Sequence, residues 1–268
     1  MERTSILPNT VFYHDELNDD FSGIHRPKKF IADDYKYIDN NLFYRIGRFI
    51  VYRLVMTPIA FLYCKIKFHH KIVNKKILRP YRHHGYFMYA NHTQIVADAY
   101  IPNMISFPKD TYEVVNSDNM ALKGTETFMK MLGAMPIPST IHGVQNFMNA
   151  LERRLVDGNV ITIYPEAHLW PYFTGIRNFK SVSFKYPVRF NDPCFCFTNC
   201  YKKRRFGKKA RIITFIDGPF LPNLQLPENE RHLDLRNRVY ETMKARADKE
   251  STYVRIKYVK DTRKFKND

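Results

Sequence analysis

Two hydrophobic patterns alternate along this chain after residue 65. Short apolar runs typical of buried strands recur at Tyr86 to Ala90, Tyr112 to Val115, Met135 to Ile137, Val160 to Tyr164, Cys194 to Asn199 and Arg211 to Ile216. Helical spacing separates them, most clearly between Val144 and Leu155, where Asp157 and Gly158 end the pattern. The alternation predicts an α/β domain over residues 66–268, with a mostly parallel sheet flanked by helices. A period-two stretch from Lys65 to Ile72 predicts the first strand of that sheet.

The chain before this domain divides into two parts. Residues 1–40 are polar and rich in turn formers, which is typical of an extended arm. Residues 41–65 predict an amphipathic and apolar helical segment that binds a membrane. Its apolar stretch, Phe49 to Cys64, contains Arg53 and Pro58 and is shorter than the roughly 20 residues of a spanning helix. We therefore expect it to lie in the membrane interface without crossing, with a buried core helix as the alternative.

The charge balance favours a lipid partner. The 43 Lys and Arg residues outnumber the 26 Asp and Glu residues and give a formal net charge of +17, which attracts nucleic acid or anionic lipid. The sequence has no zinc-finger spacing, aromatic RNA-binding signature or basic recognition helix, so we expect no nucleic-acid partner. The basic run Lys202 to Arg205 is interpreted as a solvated turn, a site for anionic head groups, or both.

Cysteine usage and the start of the chain indicate the compartment. Three of the four cysteines, Cys194, Cys196 and Cys200, lie in an apolar run without paired metal-ligand spacing, so buried reduced thiols and no metal site are expected. No signal-peptide pattern opens the sequence. The expected location is the cytoplasmic face of a membrane, as a peripheral or monotopic protein.

The candidate chemistry begins where the strand Tyr86 to Ala90 ends. Asn91 and His92 follow it directly, and Asp98 comes shortly after. Ligands bind at the carboxyl edge of parallel sheets. A hydroxyl is a poor nucleophile at neutral pH, so a histidine base can activate it, and a carboxylate on the far imidazole nitrogen fixes the tautomer. His92 and Asp98 are candidates for such a dyad, although a lone histidine near an aspartate is more often structural.

Three further segments follow in order: Leu132-Gly-Ala-Met-Pro-Ile-Pro, Val160-Ile-Thr-Ile-Tyr-Pro-Glu166, and Phe179-Lys180 with Tyr186-Pro187-Val188. Together with the Asn-His segment they resemble the four blocks of the glycerolipid acyltransferase family (PlsC-like, 1-acyl-glycerol-3-phosphate acyltransferases), over roughly Phe87 to Val188.

This resemblance implies a function and a set of site residues. It implies transfer of a fatty acyl group to a lysophospholipid-type acceptor, 1-acyl-glycerol-3-phosphate first among them, in phospholipid synthesis. Acyl-CoA or acyl-carrier protein would be the thioester donor, and no cofactor is needed. His92 takes the role of the base and Asp98 that of its orienting partner. Glu166 shapes the acceptor site, and Asn91 joins it as a substrate-binding residue.

The chain departs from the family pattern at three places. Five residues separate His92 from Asp98 where the family has four, so either a bulge absorbs the extra residue or another carboxylate, such as Asp118, serves. Ser139 and Leu169 occupy the positions of two arginines that usually grip the acceptor's phosphate. Either other cations replace them or the acceptor is not a glycerol phosphate. The candidates for this role are Lys123, Arg177 and Lys180, with His168 as a further substrate contact.

A second hypothesis is a non-catalytic lipid-binding protein at the membrane surface that keeps the acyltransferase fold. A serine hydrolase is disfavoured because the chain has no G-x-S-x-G segment, and a nucleotide site because it has no glycine-rich phosphate loop. For acyl transfer, backbone N–H groups near the second block are expected to stabilise the oxyanion.

Overall fold

The computed structural model describes residues 9–24, 27–121, 124–207 and 209–262. The centre of the molecule is a seven-stranded sheet of β2 (Lys71–Val73), β3 (Tyr86–Ala90), β4 (Thr111–Val115), β5 (Ala134–Pro136), β6 (Val160–Ile163), β7 (Cys194–Lys203) and β8 (Ala210–Phe220). The spatial order is β2-β8-β7-β3-β6-β4-β5, and β7 and β8 are the antiparallel pair. This confirms the predicted α/β class with a mostly parallel sheet.

Seven α-helices accompany this sheet in the described residues: α1 (Leu42–Arg48), α2 (Thr57–Phe68), α3 (Ala97–Ser106), α4 (Glu126–Met131), α5 (Ile141–Val156), α6 (Lys185–Phe190) and α7 (Glu228–Glu250). A π-helical segment, Phe49–Met56, joins α1 to α2. Three short 3₁₀ segments complete the helical structure, at Lys75–Tyr81, Ser117–Met120 and Val182–Phe184.

Side chains alternate between the two faces of the sheet, and each face buries its own core. Along β3, Phe87 and Tyr89 pack with residues of α5 and α7, whereas Tyr86, Met88 and Ala90 pack with residues of α2 and α3. All five are at most 1% exposed, as expected for the centre of a parallel sheet. The end of β3, where the candidate chemistry begins, is therefore fixed from both sides.

The predicted strand from Lys65 to Ile72 is wrong in its first half. Helix α2 continues to Phe68, and the strand begins only at Lys71. Cys64 and Phe68 are four residues apart and both are buried in the core that α3 shares. A helix places such residues on one side, so their packing outweighs the period-two appearance of the intervening lysines.

The predicted membrane-binding segment forms one continuous helix, Leu42–Phe68, which we call the apolar helix. Its 27 residues are long and apolar enough to cross a membrane by length and composition, and 22% of its most apolar window is buried. Tyr52, Ala60, Cys64 and Phe68 face the protein. The opposite side exposes large apolar side chains, among them Phe43, Ile46, Ile50, Leu54, Leu62 and Ile66.

The N-terminal arm, residues 1–40, contains a short strand in its described part. Strand β1 (Asn9–Tyr13) pairs in parallel with β9 (Ile256–Lys260) in a separate two-stranded sheet. Trp170 holds this sheet on the domain: its ring stacks on Tyr258 with the centroids 4.8 Å apart, and its indole N–H donates to the carbonyl of Asp19 at 2.7 Å. The arm thus reaches the loop that carries Glu166.

Candidate active site

The carboxyl end of β3 brings His92 and Asp98 together. The Nδ1 atom of His92 lies 2.9 Å from Oδ2 of Asp98. Asp98 is buried, whereas the His92 side chain keeps 25% of its surface exposed. Because Nδ1 donates to the carboxylate, Nε2 carries the lone pair and is free to accept a proton.

The extra residue between His92 and Asp98 lies in the turn before α3. Oδ2 of Asp98 also accepts the backbone N–H groups of Thr93, at 2.7 Å, and Gln94, at 2.8 Å. The chain therefore folds back around the carboxylate before helix α3 begins at Ala97. Asp98 rather than Asp118 is therefore the carboxylate on His92 among the described residues.

Two asparagines connect β3 to β7 beneath this dyad. The side chain of Asn91 donates to the carbonyl of Asn199 and accepts the N–H of Asn199, at 3.1 and 2.8 Å. The amide of Asn199 in turn donates to Oδ1 of Asp98 at 3.2 Å and accepts the hydroxyl of Thr214 at 2.6 Å. Asn91 therefore has a structural contact in the site, and Asn199 orients the carboxylate of the dyad.

Glu166 supports the dyad from the opposite side. Its Oε2 accepts the backbone N–H of His92 at 3.0 Å, and its Oε1 accepts the N–H of Arg177 at 2.9 Å. Both side chains of the Glu166–Arg177 ion pair are fully buried, with 3.3 Å between the charged groups. Burial raises the pKa of Glu166 above its ordinary value, and the Arg177 guanidinium opposes this rise. Glu166 thus fixes the backbone that carries the base.

Arg177 does not serve as a free phosphate-binding cation in this structure. Beyond its pair with Glu166, it donates to the carbonyls of His168 and of Glu16 in the arm, and its guanidinium lies over the Trp170 ring. An arginine with these contacts would have to break a buried ion pair in order to grip an acceptor.

Ser139 and Leu169, which occupy the positions of the two family arginines, both contact the N-terminal arm. The hydroxyl of Ser139 accepts the N–H of Ile31 at 2.9 Å, and the carbonyl of Leu169 accepts the N–H of Phe21 at 3.0 Å. Ile31 and Leu169 are both buried. Arm residues therefore lie against both positions at which the resemblance would place guanidinium groups.

Neither His168 nor Lys180 has a hydrogen bond or ion pair with His92 or Asp98 in the described part of the chain. His168 is partly exposed, with Nδ1 3.9 Å from Oδ2 of Asp20. Lys180 is exposed, and in the described part of the chain its side chain has no recorded hydrogen bond or ion pair. Lys123 falls outside the described residues.

Tyr164 is a site residue that the sequence reasoning missed. Its ring lies against the imidazole of His92, with 4.7 Å between the centroids, and its hydroxyl donates to the carbonyl of Asp98 at 2.5 Å. The only sequence signal was its place two residues before Glu166. Across the described ranges, no group of three or more His, Cys, Asp or Glu side chains is arranged to hold a metal ion.

Comparison with solved structures identifies the fold. The 1-acyl-sn-glycerophosphate (LPA) acyltransferase PlsC from Thermotoga maritima matches this structure with a TM-score of 0.52 and 14% sequence identity. The match covers 76% of this chain and 86% of that chain. No protein-family model matches the sequence, and no curated protein matches it significantly. The chain therefore has the fold that the four blocks predicted.

Proposed function

We propose that this protein transfers a fatty acyl group from a thioester, acyl-CoA or acyl-carrier protein, to a hydroxyl of a lysophospholipid-type acceptor at a membrane surface. The observation that carries the proposal is the contact between Nδ1 of His92 and the buried carboxylate of Asp98. It orients a partly exposed base at the sheet edge where ligands bind. The acyltransferase fold supports the same class of reaction.

In the proposed reaction, Nε2 of His92 removes the proton of the acceptor hydroxyl as its oxygen attacks the thioester carbonyl carbon. Asp98 stabilises the imidazolium that forms. The tetrahedral intermediate then collapses, the carbon–sulfur bond breaks, and the leaving thiolate takes the proton from Nε2. The products are an ester and a free thiol, and no covalent acyl-enzyme is needed.

The choice of acceptors to test follows from the family resemblance and from the positions at which this chain departs from the family pattern. A 1-acyl-glycerol-3-phosphate remains the first acceptor to test because the four blocks and the fold resemble enzymes of that class. Ser139 and Leu169 supply no guanidinium, and Arg177 is held by Glu166. An acceptor without a phosphate is therefore the second one to test.

The apolar helix supports action on a membrane lipid. Arg48 and Arg53 both pair with Asp110, and Tyr52 packs in the protein core nearby. These contacts tie one side of the helix to the catalytic domain. The other side exposes its apolar residues along the whole length, a geometry suited to lying in the membrane interface rather than crossing.

The decisive experiment measures product formation by the purified full chain in liposomes. Labelled acyl-CoA and acyl-carrier protein are offered with lysolipids, glycerol phosphate and neutral alcohols. His92→Ala should lower turnover by about a hundred- to ten-thousand-fold, the contribution of a positioned general base. Asp98→Asn should cost at least about a hundredfold by removing the orienting carboxylate. His142→Ala, an exposed histidine on α5, is the matched control and should keep the wild-type rate.

An unchanged rate in a folded His92→Ala protein overturns the mechanism. A second outcome favours the alternative function, a lipid-binding protein without catalysis, which the lost arginine positions suggest. In that case no acceptor yields product, while wild-type and His92→Ala proteins bind lysolipid equally well.

A further inference from the structure

A cavity lies between the apolar helix, α3 and the edge of the sheet at β4 and β5. Most of its lining is apolar, and its residues are Tyr52, Met56, Ala60, Ala99, Tyr100, Asn103, Thr111, Glu113, Val115, Met129, Leu132 and Ala134. Ala99 and Tyr100 directly follow Asp98 in α3. The cavity therefore borders the helix that carries Asp98, on the side of the domain that carries the exposed apolar helix.

Asn103 presents a buried acceptor without a partner at this cavity. Its Nδ2 donates to the hydroxyl of Thr57 at 2.8 Å, and that hydroxyl donates its own proton to the carbonyl of Tyr52 at 2.7 Å. The orientation of the amide is fixed because Thr57 Oγ1 must accept. Oδ1 of Asn103 is then left without a hydrogen-bond partner among the described residues, and Asn103 is only 4% exposed.

Glu113 adds a carboxyl group to the same lining. The backbone of Glu113 is paired within the sheet, whereas its side chain has no recorded hydrogen bond or ion pair in the described chain. Burial, together with the charge of Asp98, raises the pKa of Glu113 to about 8. The group is therefore mostly protonated at neutral pH and can donate as well as accept.

We propose that this cavity selects an acyl chain that carries a hydroxyl group over a plain alkyl chain. A purely apolar chain would leave Asn103 Oδ1 and the Glu113 carboxyl unpaired, which disfavours its binding. A hydroxyl on the chain can donate to Asn103 Oδ1 and accept from Glu113, while the methylene groups contact the apolar lining. The inference rests on the proposed acyl transfer in one respect, which is that the occupant of the cavity is taken to be an acyl chain.

The test measures equilibrium binding of free acids to the full chain, with turnover assayed separately. The probes are octanoate and hydroxyoctanoates that carry the hydroxyl on successive carbons. At least one hydroxyoctanoate should bind about five- to tenfold more tightly than octanoate, the effect of one net hydrogen bond. Glu113→Leu should reduce this preference, and Glu113→Gln, which keeps a hydrogen-bonding group, should retain part of it. Glu152→Leu, the same type of change at an exposed carboxylate on α5, is the matched control and should keep the full preference.

Equal binding of octanoate and every hydroxyoctanoate by the wild-type protein overturns the inference, as does an undiminished preference in Glu113→Leu. Absence of binding by all probes has the same consequence. The two proposals fail separately. Selective binding without turnover contradicts acyl transfer alone, and turnover without selectivity contradicts only the hydroxyl preference.

Discussion

The carboxylate of Asp98 is surrounded by donors from two parts of the chain. His92, Thr93 and Gln94 share Oδ2, and Asn199 reaches Oδ1 from β7. The first three belong to the segment that joins β3 to α3. Asn199 is the long-range contact, so it links the position of the carboxylate to the sheet.

Asn199→Ala should therefore slow the reaction by about tenfold, since one hydrogen bond to a charged group is lost. With one hydrogen-bond donor fewer, the Asp98 carboxylate attracts the imidazolium of His92 more strongly. The acidic limb of the pH profile of kcat should therefore move to higher pH. Thr214→Val removes the hydrogen bond from Thr214 to Asn199 but leaves every contact of Asp98 in place, so it should not move that limb. A rate loss in Asn199→Ala without a shift of the limb would assign Asn199 a merely structural role.

At the scale of residues, the sequence predicted the candidate site from residues that lie close together along the chain. Asn91, His92 and Asp98 lie between the end of β3 and the first turn of α3, and the resemblance assigned Glu166 to the same site. The partners contributed by other strands, Asn199 and Thr214, were not predicted because no local pattern records which strands become neighbours. Arg177 was predicted as a candidate cation for the acceptor's phosphate because its buried ion pair with Glu166 forms only in the folded loop.

At the scale of elements, the apolar helix has two different sides. Its packed side includes Tyr52, Ala60 and Cys64, all of which are buried. Phe43 and Ile66, at 82% and 71% exposed, lie near its two ends on the other side. Since the apolar surface extends along the helix, a bilayer can bury much of it in one orientation.

The combined variant Ile46→Asn, Ile50→Asn and Leu54→Asn should lose most binding to liposomes in a sedimentation assay. Each change removes apolar area that the membrane would bury, about 1.5–3 kcal/mol for a full side chain. The matched control places the same changes at exposed apolar residues elsewhere, Val156, Leu233 and Val254, and should bind normally. Equal binding by both variants would mean that the helix does not insert.

Element boundaries were predictable where one burial pattern dominates. The strands from Tyr86, Val160 and Cys194 begin at the predicted residues because they are buried on both faces. The end of α2 was mistaken because Lys65 to Ile72 has both a period-two appearance and helical partners in α3. Strands β1 and β9 were missed because they are short and meet only across the folded molecule.

At the scale of the whole molecule, the net charge of +17 adds a long-range attraction to the short-range apolar contact. Vesicles with anionic lipid should bind the full chain more tightly than zwitterionic vesicles, by about 1 kcal/mol for each cation near the surface. Salt should reduce this difference through screening. It should not release the protein from zwitterionic vesicles, and complete release of the protein by salt alone would contradict insertion of the apolar helix.

The α/β class was predictable because alternating strands and helices have few packing solutions. The strand order was not predictable, since it depends on which strands the crossover connections bring together. The family resemblance nevertheless predicted the correct fold, because its blocks lie at the ends of strands that meet at one edge of the sheet.

The pairing of β1 with β9 has a consequence for synthesis. A ribosome releases β1 before all the other strands described here and β9 after them, so β1 has no partner while the rest of the domain folds. The contacts of Glu16, Asp19 and Phe21 with the Glu166 loop lie just beyond β1 along the arm. The β1–β9 pairing and the stack of Tyr258 on Trp170, which hold the arm against this loop, can therefore form only after translation has passed residue 260.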